Sequence, residues 1–190
     1  FPDTYEFSPE TTPAELVEMM VKRFRGVWKP DWTERARSLS MSAREIVTMA
    51  SIIETEAKLA EERPIVASVI YNRLQKNIPL AVDSSVIYAS KLEGKWRYDG
   101  RVYRSDIERR SPYNTRLYAG LPPGPVASPG ESSLKAALNP ATTDYLYYVR
   151  NPDRDDGAHN FYNNGGDFET GVQALRKWER ERDLEHAQRK

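Results

Sequence analysis

Ser42-Ala43-Arg44-Glu45-Ile46-Val47-Thr48-Met49-Ala50-Ser51-Ile52-Ile53-Glu54-Thr55-Glu56-Ala57-Lys58 decides the fold class of this chain. Ser42 and Glu45 have the S-x-x-E spacing of a capping box, in which each side chain satisfies a free N–H at a helix start. The apolar run begins directly behind them, so a long helix is predicted over about 42–58. At about 100° per residue, Ile46, Met49, Ala50, Ile53 and Ala57 share one arc, with Val47 at its edge. Glu54 falls inside that arc, between Ala50 and Val47, and Glu56 falls on the other border near Met49 and Ile52. A carboxyl group on an apolar face is desolvated, which favours the protonated form a general acid needs. The plainer reading is a glutamate at the edge of a buried face, paired with Arg63 or Arg73.

Helical signals continue on both sides of this stretch. Thr12, Pro13 and Glu15 open an earlier helix with an inner stripe of Leu16, Met19, Met20, Val21 and Phe24. It ends near Gly26, and a short charged helix follows over 31–39. Downstream, Pro64 starts a helix over 65–75, and Asn77-Ile78-Pro79 stops it. A shorter helix over 84–92 follows Asp83, which reads as its cap together with Ser84. Gly100, between Trp96-Arg97-Tyr98 and Val102-Tyr103, suggests a small hairpin. Residues 111–131 hold five of the thirteen prolines and predict a long, stiff, irregular loop, the kind of segment that often carries function. After a helix over 132–138, the run 144–149 reads as a strand and 160–162 as its partner. A charged amphipathic helix from about 168 closes the chain. The predicted class is α+β: helix-rich, one small antiparallel sheet, one long Pro/Gly-rich loop, and a single domain over 1–190.

Composition narrows the chemistry. Lys plus Arg and Asp plus Glu stand at 28 each, so there is no broad basic field to collect nucleic acid. There is no cysteine, which removes thiol nucleophiles, cysteine-based zinc sites and disulfides together. With His159 and His186 as the only histidines, a histidine-rich metal centre is not expected, and no cofactor is called for. No apolar run approaches the ~18 residues needed to span a bilayer. A start at Phe1, within structured-looking sequence, reads as a piece of a longer protein.

Several motifs in order then carry a family resemblance. They are Phe1-Pro2-Asp3-Thr4-Tyr5, Ala50-Ser51-Ile52-Ile53-Glu54-Thr55-Glu56, and the helix Glu62-Arg63-Pro64-Ile65-Val66-Ala67-Ser68-Val69-Ile70-Tyr71-Asn72-Arg73-Leu74. Ser111-Pro112-Tyr113-Asn114-Thr115, Gly120-Leu121-Pro122-Pro123-Gly124-Pro125-Val126-Ala127-Ser128-Pro129-Gly130, Asn139-Pro140-Ala141, Tyr145-Leu146-Tyr147-Tyr148-Val149 and His159-Asn160-Phe161 follow. Together they resemble the endolytic murein transglycosylases of the YceG-like family. The polar loop 150–158 is longer than the family pattern, and the tail after Trp178 has no counterpart in it.

The resemblance implies a lyase that cuts the β-1,4 bond between N-acetylmuramic acid and N-acetylglucosamine inside a glycan strand, leaving a 1,6-anhydro end. It implies Glu54 as general acid and then base, because the nucleophile is the substrate's own C6 hydroxyl and a second carboxyl group is not required. Asn72, Asp83, Ser84, Tyr113, Asn114, Thr115, Pro122 and His159 are the expected substrate-binding residues, and Glu56 an ion-paired neighbour of the site. The implied setting is a parent protein anchored in the cytoplasmic membrane with this domain outside, beside wall synthases of the penicillin-binding type, ending or trimming nascent peptidoglycan strands. Two rivals stand beside this reading. One is a lysozyme-type hydrolase using a second carboxylate such as Asp83 or Glu56. The other is a glycan-binding module in which Glu54 only pairs with an arginine.

Overall fold

A computed structural model of the chain describes residues 1–188, with side chains through residue 184. Helices α1 (Pro13–Val27), α2 (Pro30–Ser38), α3 (Ala43–Glu56), α4 (Arg63–Gln75), α5 (Asp83–Leu92), α6 (Arg104–Ile107) and α7 (Glu131–Leu138) precede strands β1 (Tyr147–Arg150) and β2 (His159–Tyr162), and α8 (Gly165–Gln188) closes the described chain. The α+β class read from the sequence is the class observed. The last two residues of the predicted C-terminal helix lie outside the described residues.

Both predicted capping boxes form. The Thr12 and Ser42 hydroxyls accept from the N–H groups of Glu15 and Glu45, whose carboxylates accept in return from the two cap N–H groups. The helix α3 is the centre of the molecule, packed by α2, α4, α5 and α7. Ile46, Thr48, Met49, Ala50, Ser51, Ile52 and Ile53 are all buried, so α3 is covered all round rather than along one arc. The hydroxyls of Thr48 and Ser51 are accommodated by bonds back to Arg44 O and Thr48 O. Leu134 and Leu138 of α7 and Val66 and Ile70 of α4 complete the core around α3. Among the described residues, no helix is long and apolar enough to cross a membrane.

The two strands pair antiparallel, Tyr147 opposite Tyr162 through Arg150 opposite His159. Helix α4 fixes where they sit. Asn72 Nδ2 donates to Thr143 O and Tyr145 O (2.9 and 2.8 Å), and Arg73 Nε donates to Leu146 O (2.6 Å). On the other side Phe168 of α8 stacks on Tyr147 at 4.9 Å. The sheet is thereby held against the C-terminal end of α3.

Two local readings are corrected. The predicted hairpin around Gly100 does not form, because Asp106 accepts from Tyr103 N–H (3.0 Å) and starts the turn of α6 where the second strand was expected. Asp83 is the first residue of α5 and Val82 its cap, so neither Asp83 nor Ser84 caps the helix.

Candidate active site

The two glutamates of α3 stand two positions apart, about 200° around the helix, and they serve different surroundings. Glu54 points at the start of α7. Its Oε2 accepts from the Gly130 N–H (3.0 Å) and from the Ser133 hydroxyl (2.7 Å), and its Oε1 lies 3.8 Å from the Arg63 guanidinium. An anionic group at a helix N-terminus satisfies free N–H groups and complements the helix dipole. The apolar enclosure expected for Glu54 is replaced by these polar partners, with 30% of the side chain exposed. The position fails as an arc argument because α7 brings its polar first turn against this side of α3.

Glu56 ends α3 on the opposite side and lines a groove of about 500 Å³ with Arg73, Asp83, Arg116, Tyr147 and Tyr148. Its Oε2 accepts from the Tyr148 hydroxyl at 2.9 Å. No arginine or lysine among the described residues forms an ion pair with it, which corrects the expected pairing. Tyr148 is held as a donor: burial, then the negative charge of Glu56, push its phenol well above the ordinary tyrosine range. Arg73 is spent on the backbone, donating to Leu146, Pro79 and Leu80 carbonyls, with its guanidinium 5.0 Å from the Tyr147 ring. Glu56 is thus fixed in the groove through a single oxygen, by a neutral donor.

The remaining predicted residues divide sharply. Asp83 lines the same groove, ion-paired with Arg116 at 2.5 Å. Ser84 follows it, its hydroxyl buried and without a partner among the described residues. Asn72 is committed to the two carbonyls before β1. Asn114 is fully buried; its Nδ2 donates to Ile107 O and Arg109 O (both 2.8 Å) and its Oδ1 accepts from Arg116 N–H (3.0 Å). Thr115 is also buried, bonded to Val82 N–H and the Ser85 hydroxyl. Neither Asn114 nor Thr115 presents a free polar atom to a ligand, so the expected groove-lining role is corrected to fixing the loop on α5. Tyr113 packs on Tyr88 at 4.8 Å, and Pro122 is buried.

His159 stands at the start of β2, its Nδ1 2.7 Å from Glu62 Oε2, while its N–H donates to Glu62 Oε1 (2.8 Å). Its ring meets the Tyr148 ring edge-on at 5.3 Å. It therefore backs the tyrosine that holds Glu56. Two groove residues escaped the sequence reading. Tyr148 is one of four tyrosines within 145–162, and only the strand register singles it out. Arg116 follows the Tyr113-Asn114-Thr115 motif and has no signal of its own. Among the described residues, no cluster of three His, Cys, Asp or Glu side chains forms a metal-sized site.

This is a helix-rich α+β domain built around a central helix whose C-terminal end delivers the Glu56 carboxyl group to a polar groove. The chain belongs to the YceG-like family, whose model matches residues 1–174. It is 42% identical over 150 residues to the endolytic murein transglycosylase of Bacillus subtilis, covering 78% of this chain and 40% of the relative. It is 31% identical over 172 residues to the protein of that name from Streptococcus pneumoniae, covering 90% of this chain and 31% of the relative. The chain thus spans less than half the length of these relatives. A crystal structure of a YceG-like protein from Listeria monocytogenes superimposes with a TM-score of 0.75 at 34% identity, over 90% of this chain and 52% of that one.

Proposed function

We propose that this chain is an endolytic peptidoglycan lytic transglycosylase that cuts the MurNAc-β-1,4-GlcNAc bond, with Glu56 rather than Glu54 as the acid and base. The observation that carries the reading is the Glu56 carboxyl in its groove, with Oε2 on the Tyr148 hydroxyl and Oε1 accepting no hydrogen bond from the described residues. The names of the relatives supply the substrate and the reaction class.

In the first half-reaction, protonated Glu56 gives its proton to the glycosidic oxygen as the C1–O bond of the muramyl residue breaks. In the second, the Glu56 carboxylate takes the proton of the muramyl C6 hydroxyl while O6 bonds to C1. The carboxyl group ends as it began, and water takes no part. A hydrolase would need a second carboxylate to activate water or attack the sugar. Asp83 is the groove's other carboxylate, and its Arg116 partner at 2.5 Å argues against that use. The reading extends to a parent protein in the cytoplasmic membrane with this domain outside, next to the synthases that extrude nascent strands.

Tyr148 holds Glu56 in place and donates to its charged form. Tyr148→Phe removes one charge-assisted hydrogen bond while keeping the ring, a loss of roughly 1.5–3 kcal/mol. The expected result is a kcat lower by about 10–100-fold with KM little changed, measured on uncrosslinked strands. A KM effect alone would instead make Tyr148 a sugar-binding residue.

A further inference from the structure

Arg116 enters the Glu56 groove from a loop that is fixed from below. Its N–H is held by buried Asn114, and the preceding residue, Thr115, is tied to the start of α5 by the Val82 N–H, the Ser85 hydroxyl and the bond from Ala81 N–H to its own carbonyl. The side chain is one-third exposed. One terminal nitrogen donates to Asp83 Oδ1, and Nε is buried without a partner, so the exposure lies at the remaining atoms. A guanidinium carries five N–H donors in a planar fork, and only one is used here by a carboxylate.

The charge balance of the groove points the same way. Two guanidiniums, Arg73 and Arg116, face two carboxyl groups, Asp83 and Glu56. Arg73 is paired with carbonyls rather than acids, and both burial and the nearby positive charge of Arg116 lower its pKa. When Glu56 carries the proton it must deliver, the groove holds one positive charge in excess.

Resting on the transglycosylase reading, we infer that Arg116, braced by Asp83, is a specificity residue that receives a carboxylate carried on the 3-O substituent of the muramyl residue at the cleavage site. That carboxylate has two sources: the lactyl group itself on bare strands, or the stem peptide where one is attached. Asp83 keeps the fork oriented between turnovers, and the incoming carboxylate takes the donors Asp83 leaves free.

The test is equilibrium binding in the uncleaving Glu56→Gln background, with Arg116 intact or replaced in Arg116→Gln and Arg116→Lys. Three ligands are compared: peptide-bearing strands, strands stripped to the lactyl carboxylate, and stripped strands whose lactyl carboxylate is converted to the amide. With Arg116 intact, a carboxylate-bearing strand binds about tenfold tighter than the amide. Arg116→Gln abolishes that preference, and Arg116→Lys, with its charge but no fork, restores only part of it. Preference for stripped over amidated strands identifies the lactyl carboxylate; preference confined to peptide-bearing strands identifies the stem. A preference that survives Arg116→Gln, or equal binding of all three strands by the parent, overturns the inference. Loss of cleavage by the wild-type chain strikes the functional reading instead, since binding is scored without turnover.

Discussion

Glu56→Gln is expected to lower the rate of strand cleavage on the order of 10³-fold or more while leaving the fold intact. General acid–base catalysis by one placed group is worth roughly 10²–10⁴-fold, and here a single group serves both halves of the reaction. Glutamine is nearly isosteric, and its carbonyl oxygen still accepts from the Tyr148 hydroxyl, now 2.9 Å from Oε2. Neither a buried ion pair nor a helix cap is broken, so unfolding stability should stay within about 1 kcal/mol of wild type. Glu54 gives the opposite pattern. Glu54→Ala strips the Gly130 N–H and Ser133 hydroxyl of their acceptor and leaves Arg63 without its carboxylate. Losing an anionic partner at a helix start costs about 1–2 kcal/mol, read as a lower melting temperature, while the folded fraction keeps cleaving. Circular dichroism melts beside initial rates separate the two glutamates; a stable but dead Glu54→Ala variant would return the acid role to Glu54.

Asn114→Ala is expected to be the most damaging change away from the groove. Asn114 is fully buried and spends both donors on the carbonyls of Ile107 and Arg109 and its oxygen on the Arg116 N–H. Alanine leaves the Ile107 carbonyl and the Arg116 N–H without partners and the Arg109 carbonyl with the Ser111 N–H alone; each orphaned group is penalised by about 1–3 kcal/mol when water cannot reach it, and a small cavity opens besides. Even with partial relaxation the net loss is roughly 3 kcal/mol, and Asn114→Asp fares no better because an acid has no N–H to give the two carbonyls. For a chain of this length that loss lowers Tm by about 6–12 °C. A variant that melts like wild type but binds strands poorly would restore the substrate-contacting role expected from the sequence.

Much of the scaffold was legible because it is written in local, periodic signals. The Thr12–Glu15 and Ser42–Glu45 boxes, Pro13 and Pro64 in first turns, and the aromatic and apolar run over 144–149 each act within a few residues. The site was only partly legible, for a different reason. Projecting α3 as a one-faced helix marked Glu54 as the unusual carboxylate, but α3 is buried on every side. The informative question was which neighbour each glutamate meets, and that depends on α7 and β1, roughly 75 and 90 residues further along. The same distance hid Arg116 and Tyr148. The Tyr113-Asn114-Thr115 motif stands out in the sequence, yet the polar atoms of Asn114 and Thr115 face inward, and polar side chains in an irregular loop look the same in sequence whether they hold the loop or a ligand.

The most direct measurement is mass spectrometry of uncrosslinked glycan strands after incubation with the wild type, Glu56→Gln and Glu54→Gln. New 1,6-anhydromuramyl ends from wild type and Glu54→Gln, and none from Glu56→Gln, are the predicted result. Anhydro ends from Glu56→Gln, or reducing ends from the wild type, would contradict it.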